Sequence, residues 1–144
     1  MANLNDVAQC FLYLDDSNDG DGISNLKLQK LAYYAQGFHS AIFDNPLFLE
    51  DIYAWTHGPV VEDLYHQYKQ YGSNHIPAAQ AYNKDSLTKD EFELIEEVFE
   101  VFGQYSAWKL RNMTHEETPW LEHEAEASVI PKQSITEYFK TRIN

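Results

Sequence analysis

Leu4, Val7, Ala8, Phe11 and Leu12 recur at the spacing that puts every third or fourth side chain on one face, which predicts a first helix ending near Leu14. Asp15 to Gly22 contains no apolar anchor and is dense in turn formers, so a loop is expected there. Ser24 is placed to cap a second, longer helix whose stripe is Leu28, Leu31, Ala32, Ala35, Phe38 and Ile42. So long a stripe predicts a central helix with several neighbours, and Gly37 leaves room for one of them to come close. Asn45-Pro46 breaks it, and Ile52, Tyr53, Ala54 and Trp55 read as a short extended segment. Gly58-Pro59 predicts a third helix starting at the proline, with Val61, Leu64, Tyr65 and Tyr68 inward and Gly72-Ser73-Asn74 at its end. After a loop from Pro77 to Asp85, Thr88 and Glu91 match a capping box with Leu87 and Phe92 as the hydrophobic staple. That helix buries Ile95, Val98, Phe99 and Phe102 and closes at Gly103. Ser106 and Thr118-Pro119 each signal a short helix, and Ser134 with Glu137 signals a second capping box before Tyr138 and Phe139.

The expected fold is therefore mostly α: one compact domain over residues 1–144 with about six helices and room for a small two-stranded β element. Composition fits, since 144 residues with 44% apolar and 15% aromatic side chains can fill one core. Charge narrows the partners. Ten basic residues against 23 acidic ones give a net charge of −13, which is ill suited to phosphate backbones and better matched to a basic protein. Direct nucleic-acid binding is not expected. The single cysteine, Cys10, rules out an internal disulfide and suits a reducing cytoplasm. Neither a signal peptide nor a membrane span is expected.

Ile23-Ser24-Asn25-Leu26-Lys27-Leu28-Gln29-Lys30-Leu31-Ala32-Tyr33-Tyr34-Ala35-Gln36-Gly37 resembles the opening signature of the SocA-like Panacea domain, found in antitoxins and in GepA-like phage-associated proteins. The resemblance continues in order through Pro46-Leu47-Phe48, Glu50-Asp51-Ile52-Tyr53-Ala54-Trp55, Gly58-Pro59-Val60-Val61 with Tyr65, then Tyr105-Ser106-Ala107-Trp108-Lys109-Leu110, Thr114-His115 and Pro119-Trp120. His57 departs from it, standing where the pattern calls for a larger aromatic or basic residue. The resemblance implies an antitoxin that binds and neutralises a cognate protein toxin, without enzymatic activity or cofactor. It leaves room for an alternative in which a phage or mobile-element adaptor hands a host or toxin protein to a cytosolic protease, or blocks a defence system. It assigns structural roles to Leu28, Leu31, Gly37, Trp55, Gly58, Pro59, Ser106, His115 and Trp120. No helix-turn-helix segment flanks the domain, so repression of its own operon through DNA is not expected.

Candidate toxin contacts are Lys27, Gln29, Lys30, Tyr33, Tyr34 and Gln36, which lie off the apolar stripe, together with Tyr65 and Tyr68. The same α-helical side chains could instead hydrogen-bond to the loop carrying Trp55 and Gly58-Pro59. Two metal readings are weaker. Asp15, Ser17, Asp19, Gly20 and Asp21 follow the start of an EF-hand loop, but Leu26 stands where the bidentate Glu belongs. His115, Glu116, Glu117, His123 and Glu124 cluster without the HExxH spacing that a metal-dependent hydrolase of that type needs, and Thr114-His115 reads better as a structural pair. Cys10 lies on the first helix as packing, and the chain has no Gly-x-Ser-x-Gly elbow or phosphate-binding glycine loop.

Overall fold

A helix this rich in apolar residues can be buried on more than one side, and the second helix is. The computed structural model describes residues 1–77 and 82–143. Helix α1 (Leu4–Ser17) is capped by the Asn3 side chain, and α2 (Asn25–Phe43) by Ser24, whose hydroxyl accepts from Lys27 N. Strands β1 (Ile52–Trp55) and β2 (Gly58–Val61) form a hairpin, followed by α3 (Glu62–Tyr68) and one 3₁₀ turn. Helices α4 (Lys89–Phe102), α5 (Ala107–Thr114) and α6 (Thr118–Leu121) come next, then β3 (Val129–Ile130) and α7 (Lys132–Lys140). α2 is the axis: it packs against α1, α3, α4, α5, α7 and β2, and 15 of its 19 residues are buried.

The expected starts at Ser24, Ser106 and Pro119 are present, and Thr88 with Glu91 makes both bonds of the capping box. Gly37 does admit a neighbour. A methyl group there would sit 2.3 Å from the Phe139 ring of α7, so the two helices meet at ring-against-backbone distance.

Five local expectations need correction. α1 runs through Ser17 into the expected loop, because Asn18 bonds back to the Leu14 carbonyl through its amide side chain and holds the last turn. The third helix does not begin at Pro59. Gly58 adopts φ of +106°, the chain turns back, and Pro59 pairs opposite Ala54 on the edge strand of a sheet ordered β2-β1-β3. A proline is tolerated at an edge because no ladder bond needs its missing N–H. The sheet thus has three strands, the third only two residues long and paired as Ile52 with Ile130 and Tyr53 with Val129. Ser134 is no cap, since Pro131 ends β3 and launches α7 directly, leaving Glu137 to accept from Gln133. Ile42 is 47% exposed, because the last turn of α2 runs past the elements that enclose the rest. Residues 78–81 of the expected Pro77–Asp85 loop lie outside the described residues.

Gly37→Ala is expected to destabilise the fold by about 1–3 kcal/mol, the usual cost of overpacking a core, because Phe139 has no open space to enter. Thermal melting of the variant against the parent chain measures it.

Candidate functional site

Polar groups taken inside a protein need partners, and α2 carries many of them inward. Gln36 holds the segment after the helix, accepting from Leu47 N at 2.8 Å and Phe48 N at 3.2 Å and donating to the Phe48 carbonyl. Gln29 accepts from Val61 N at 2.9 Å and donates to Asn25, whose own amide reaches the Tyr65 carbonyl. Lys30 is fully buried, and its ammonium donates to the Pro59 carbonyl at 3.0 Å. Lys27 donates to the Gly103 carbonyl. The hydroxyls of Tyr33 and Tyr34 converge on one buried carboxylate, Glu117, at 2.9 and 2.8 Å, and Arg142 joins it at 3.2 Å.

Seven of the eight candidate toxin contacts, all but Tyr65, are therefore buried within the chain itself. The physical reason is enclosure. Side chains off the apolar stripe meet α3, the hairpin, α5 and α7 instead of solvent, and their polar ends bond backbone that lies distant in sequence. Tyr68 accepts from Gln9, and Tyr65 stays half-exposed with its ring edge against Trp55.

Burial has electrostatic consequences. It pulls the Lys30 ammonium down to about 7, with the nearby Arg111 charge adding to the effect. It raises Glu117, although the Tyr34, Tyr33 and Arg142 bonds oppose that shift. The Cys10 thiol is pushed up to about 12 by burial, which leaves it protonated and a poor nucleophile.

These interior bonds fix the hairpin, and the hairpin organises a corner with α5 and α6. The Gly58 backbone lies so close to Lys30 and Thr114 that a methyl group would sit 2.6 Å from Lys30 Cε and 2.8 Å from Thr114 Oγ1. Trp120 donates its indole N–H to the Trp55 carbonyl at 2.7 Å and stacks on His115 at 3.9 Å with the rings 7° apart. His115 tethers this region by that stacking and by a hydrogen bond with the Thr56 backbone, while the Thr114 hydroxyl bonds back to the Arg111 carbonyl. Burial and the Arg111 charge hold His115 below the usual imidazole range, so it is neutral, and its Nε2 is buried without a partner among the described residues.

On the outside of this corner Trp108 is 55% exposed, the Arg111 guanidinium lies 4.3 Å over its ring, and Arg111 Nε donates to His57 Nδ1 at 3.2 Å. A cleft of about 500 Å³ runs beside it, lined by Trp55, His57, Val60, Tyr65 and Lys69 among others. Trp108, Arg111 and Arg142 were not legible as site residues. For Trp108 a signal exists: it has no apolar companion three or four places along its helix, which marks a tryptophan without a core to enter.

Among the described residues no group of three or more His, Cys, Asp or Glu is arranged to hold a metal ion. Asp15 instead closes its own loop, accepting from Gly22 N. His123 bonds the Pro119 carbonyl.

The molecule is thus a helical scaffold whose central helix holds a small hairpin against two short helices. The family model for the antitoxin SocA-like Panacea domain matches residues 28–121, and the chain belongs to that family. The match runs from the start of the α2 stripe to the end of α6 and includes Glu117, Gly58 and Trp120, whereas Phe139 and Arg142 lie beyond it. No curated protein and no solved structure matches.

Glu117→Ala is expected to cost about 2–4 kcal/mol, because two buried tyrosine hydroxyls and Arg142 lose their acceptor; chemical denaturation reads it. Lys30 sets a pH dependence. The unfolded chain holds that proton up to about 10.5 and the folded chain only to about 7, so between those values the folded state binds fewer protons. Stability therefore gains from Lys30 as pH rises through that window. Lys30→Met is expected to flatten this rise, as seen in melting temperature measured across the window.

Proposed function

We propose that the chain is the antitoxin of a toxin–antitoxin pair, that it acts in the cytoplasm, and that it neutralises its toxin by direct protein–protein binding without catalysis. Membership of the SocA-like Panacea family carries this reading. The binding face is the corner built from the β1–β2 hairpin and α5. It carries exposed Trp108 beside the Trp55–Tyr65 cleft, and aromatic side chains with an adjoining arginine are the groups that dominate protein interfaces. The buried polar residues of α2 serve the interface by holding the hairpin in place. A net charge of −13 steers a basic toxin toward the molecule. Among the described residues no helix is long and apolar enough to cross a membrane.

Co-expression of this chain is expected to restore the growth that the product of the neighbouring gene arrests when expressed alone, and the two are expected to co-purify. Loss of both results refutes the proposal, and rescue that requires a cytosolic protease and lowers the toxin level would replace occlusion with delivery for degradation. Trp108→Ala is expected to weaken the complex by about 2 kcal/mol, roughly thirtyfold in Kd, as for an aromatic hot spot. Calorimetric titration tests that.

A further inference from the structure

Arg111, one of the chain's two arginines, is held by contacts other than an ion pair, as are the ammonium groups of Lys27 and Lys30. Lys89, Lys132, Lys140 and Arg142 each reach a carboxylate, at 3.8, 2.8, 2.7 and 3.2 Å. Arg111 pairs with none among the described residues, although the chain holds 23 acidic residues. Its three contacts are neutral: Nε to His57 Nδ1 at 3.2 Å, a terminal nitrogen to Asn112 Oδ1 at 3.1 Å, and the guanidinium plane over Trp108 at 4.3 Å.

Those contacts hold the fork in one orientation. An arginine fixed in this way has lost much of its side-chain freedom before any ligand arrives, which is the condition for strong two-point recognition of a carboxylate. His57 adds to the pattern. Because its Nδ1 accepts from Arg111, the ring proton sits on Nε2, which makes that nitrogen a donor. Lys30 and His115 both feel Arg111 strongly enough that it disfavours their protonated forms. In a protein of net charge −13, the corner presents a guanidinium without a carboxylate partner beside a histidine N–H donor.

Resting on the antitoxin reading above, we infer that this corner is an anchor for an aspartate or glutamate side chain of the bound toxin, received by the Arg111 fork with His57 beside it and Trp108 packed at the edge. The overall charge selects the source of the anion. A chain at −13 repels nucleic acid and free phosphate, whereas a carboxylate carried on an otherwise basic protein surface is brought in by the rest of the contact. The pairing also supplies specificity, since a basic toxin lacking the carboxylate leaves Arg111 enclosed and unpaired.

The test uses the intact chain and the purified product of the neighbouring gene, with Kd measured by calorimetry. Arg111→Gln is expected to weaken binding by about thirtyfold or more with an unchanged melting temperature, the size associated with an interfacial charge pair. His57→Glu is expected to do the same, because its carboxylate occupies the guanidinium from within the chain. A scan of Asp→Asn and Glu→Gln changes on the toxin is expected to find one that reproduces the loss and adds nothing to Arg111→Gln in the double variant. Wild-type affinity in Arg111→Gln, or the absence of any toxin acid coupled to it, overturns the inference while leaving the antitoxin reading intact. Competition by inorganic phosphate at low millimolar concentration would show a free-anion site and also overturns it. Absence of binding by the unaltered chain overturns both.

Discussion

Enclosing all but the last turn of α2 obliges the polar side chains it carries inward to find partners within the molecule. Those partners are mostly backbone groups of other segments: Leu47 and Phe48 for Gln36, Val61 for Gln29, Pro59 for Lys30 and Gly103 for Lys27. Each such bond adds only about 1 kcal/mol net, but leaving one unmade inside costs considerably more. The polar residues of the helix therefore act as a template for placing loops. Their contribution lies in which arrangement the chain adopts, more than in how stable it is.

The hairpin shows what this template accomplishes. Gly58 must take a positive φ and must lack a side chain for Lys30 and Thr114 to approach, and the Lys30 ammonium then grips the next carbonyl along. With the turn held there, His57 meets Arg111 and the Trp55 carbonyl meets Trp120. The outer corner inherits its geometry from bonds that never touch solvent.

Features decided over a few neighbouring residues were readable in the chain. The Ser24, Thr88 and Ser106 caps and the Pro119 start are local, and they stand where expected. So does the Ile52–Trp55 strand. Pro59 was misassigned because a proline after glycine opens a helix and suits an edge strand equally well, and only pairing with Ala54 decides between them. Ser134 failed for a similar reason, since β3 is two residues long and owes its existence to Ile52, far away in sequence. The site was less legible still. Lys30, Tyr33 and Gln36 look like surface residues by type, and what draws them inside are acceptors 29, 84 and 12 positions away. Trp108 and Arg111 give no sign in sequence that a hairpin histidine will lie against them.

Phe139 fills the space left by Gly37, and Arg142 completes the pairing of Glu117, so the heart of the molecule is finished by residues synthesised after the elements they complete. During translation, α2 leaves the ribosome with its inner face uncovered, and Glu117 later emerges before its arginine. A domain assembled in that order cannot lock until α7 is free of the exit tunnel. A partner that requires the closed scaffold meets only finished molecules, and a truncated translation product would be open to proteases and unable to occupy that partner unproductively.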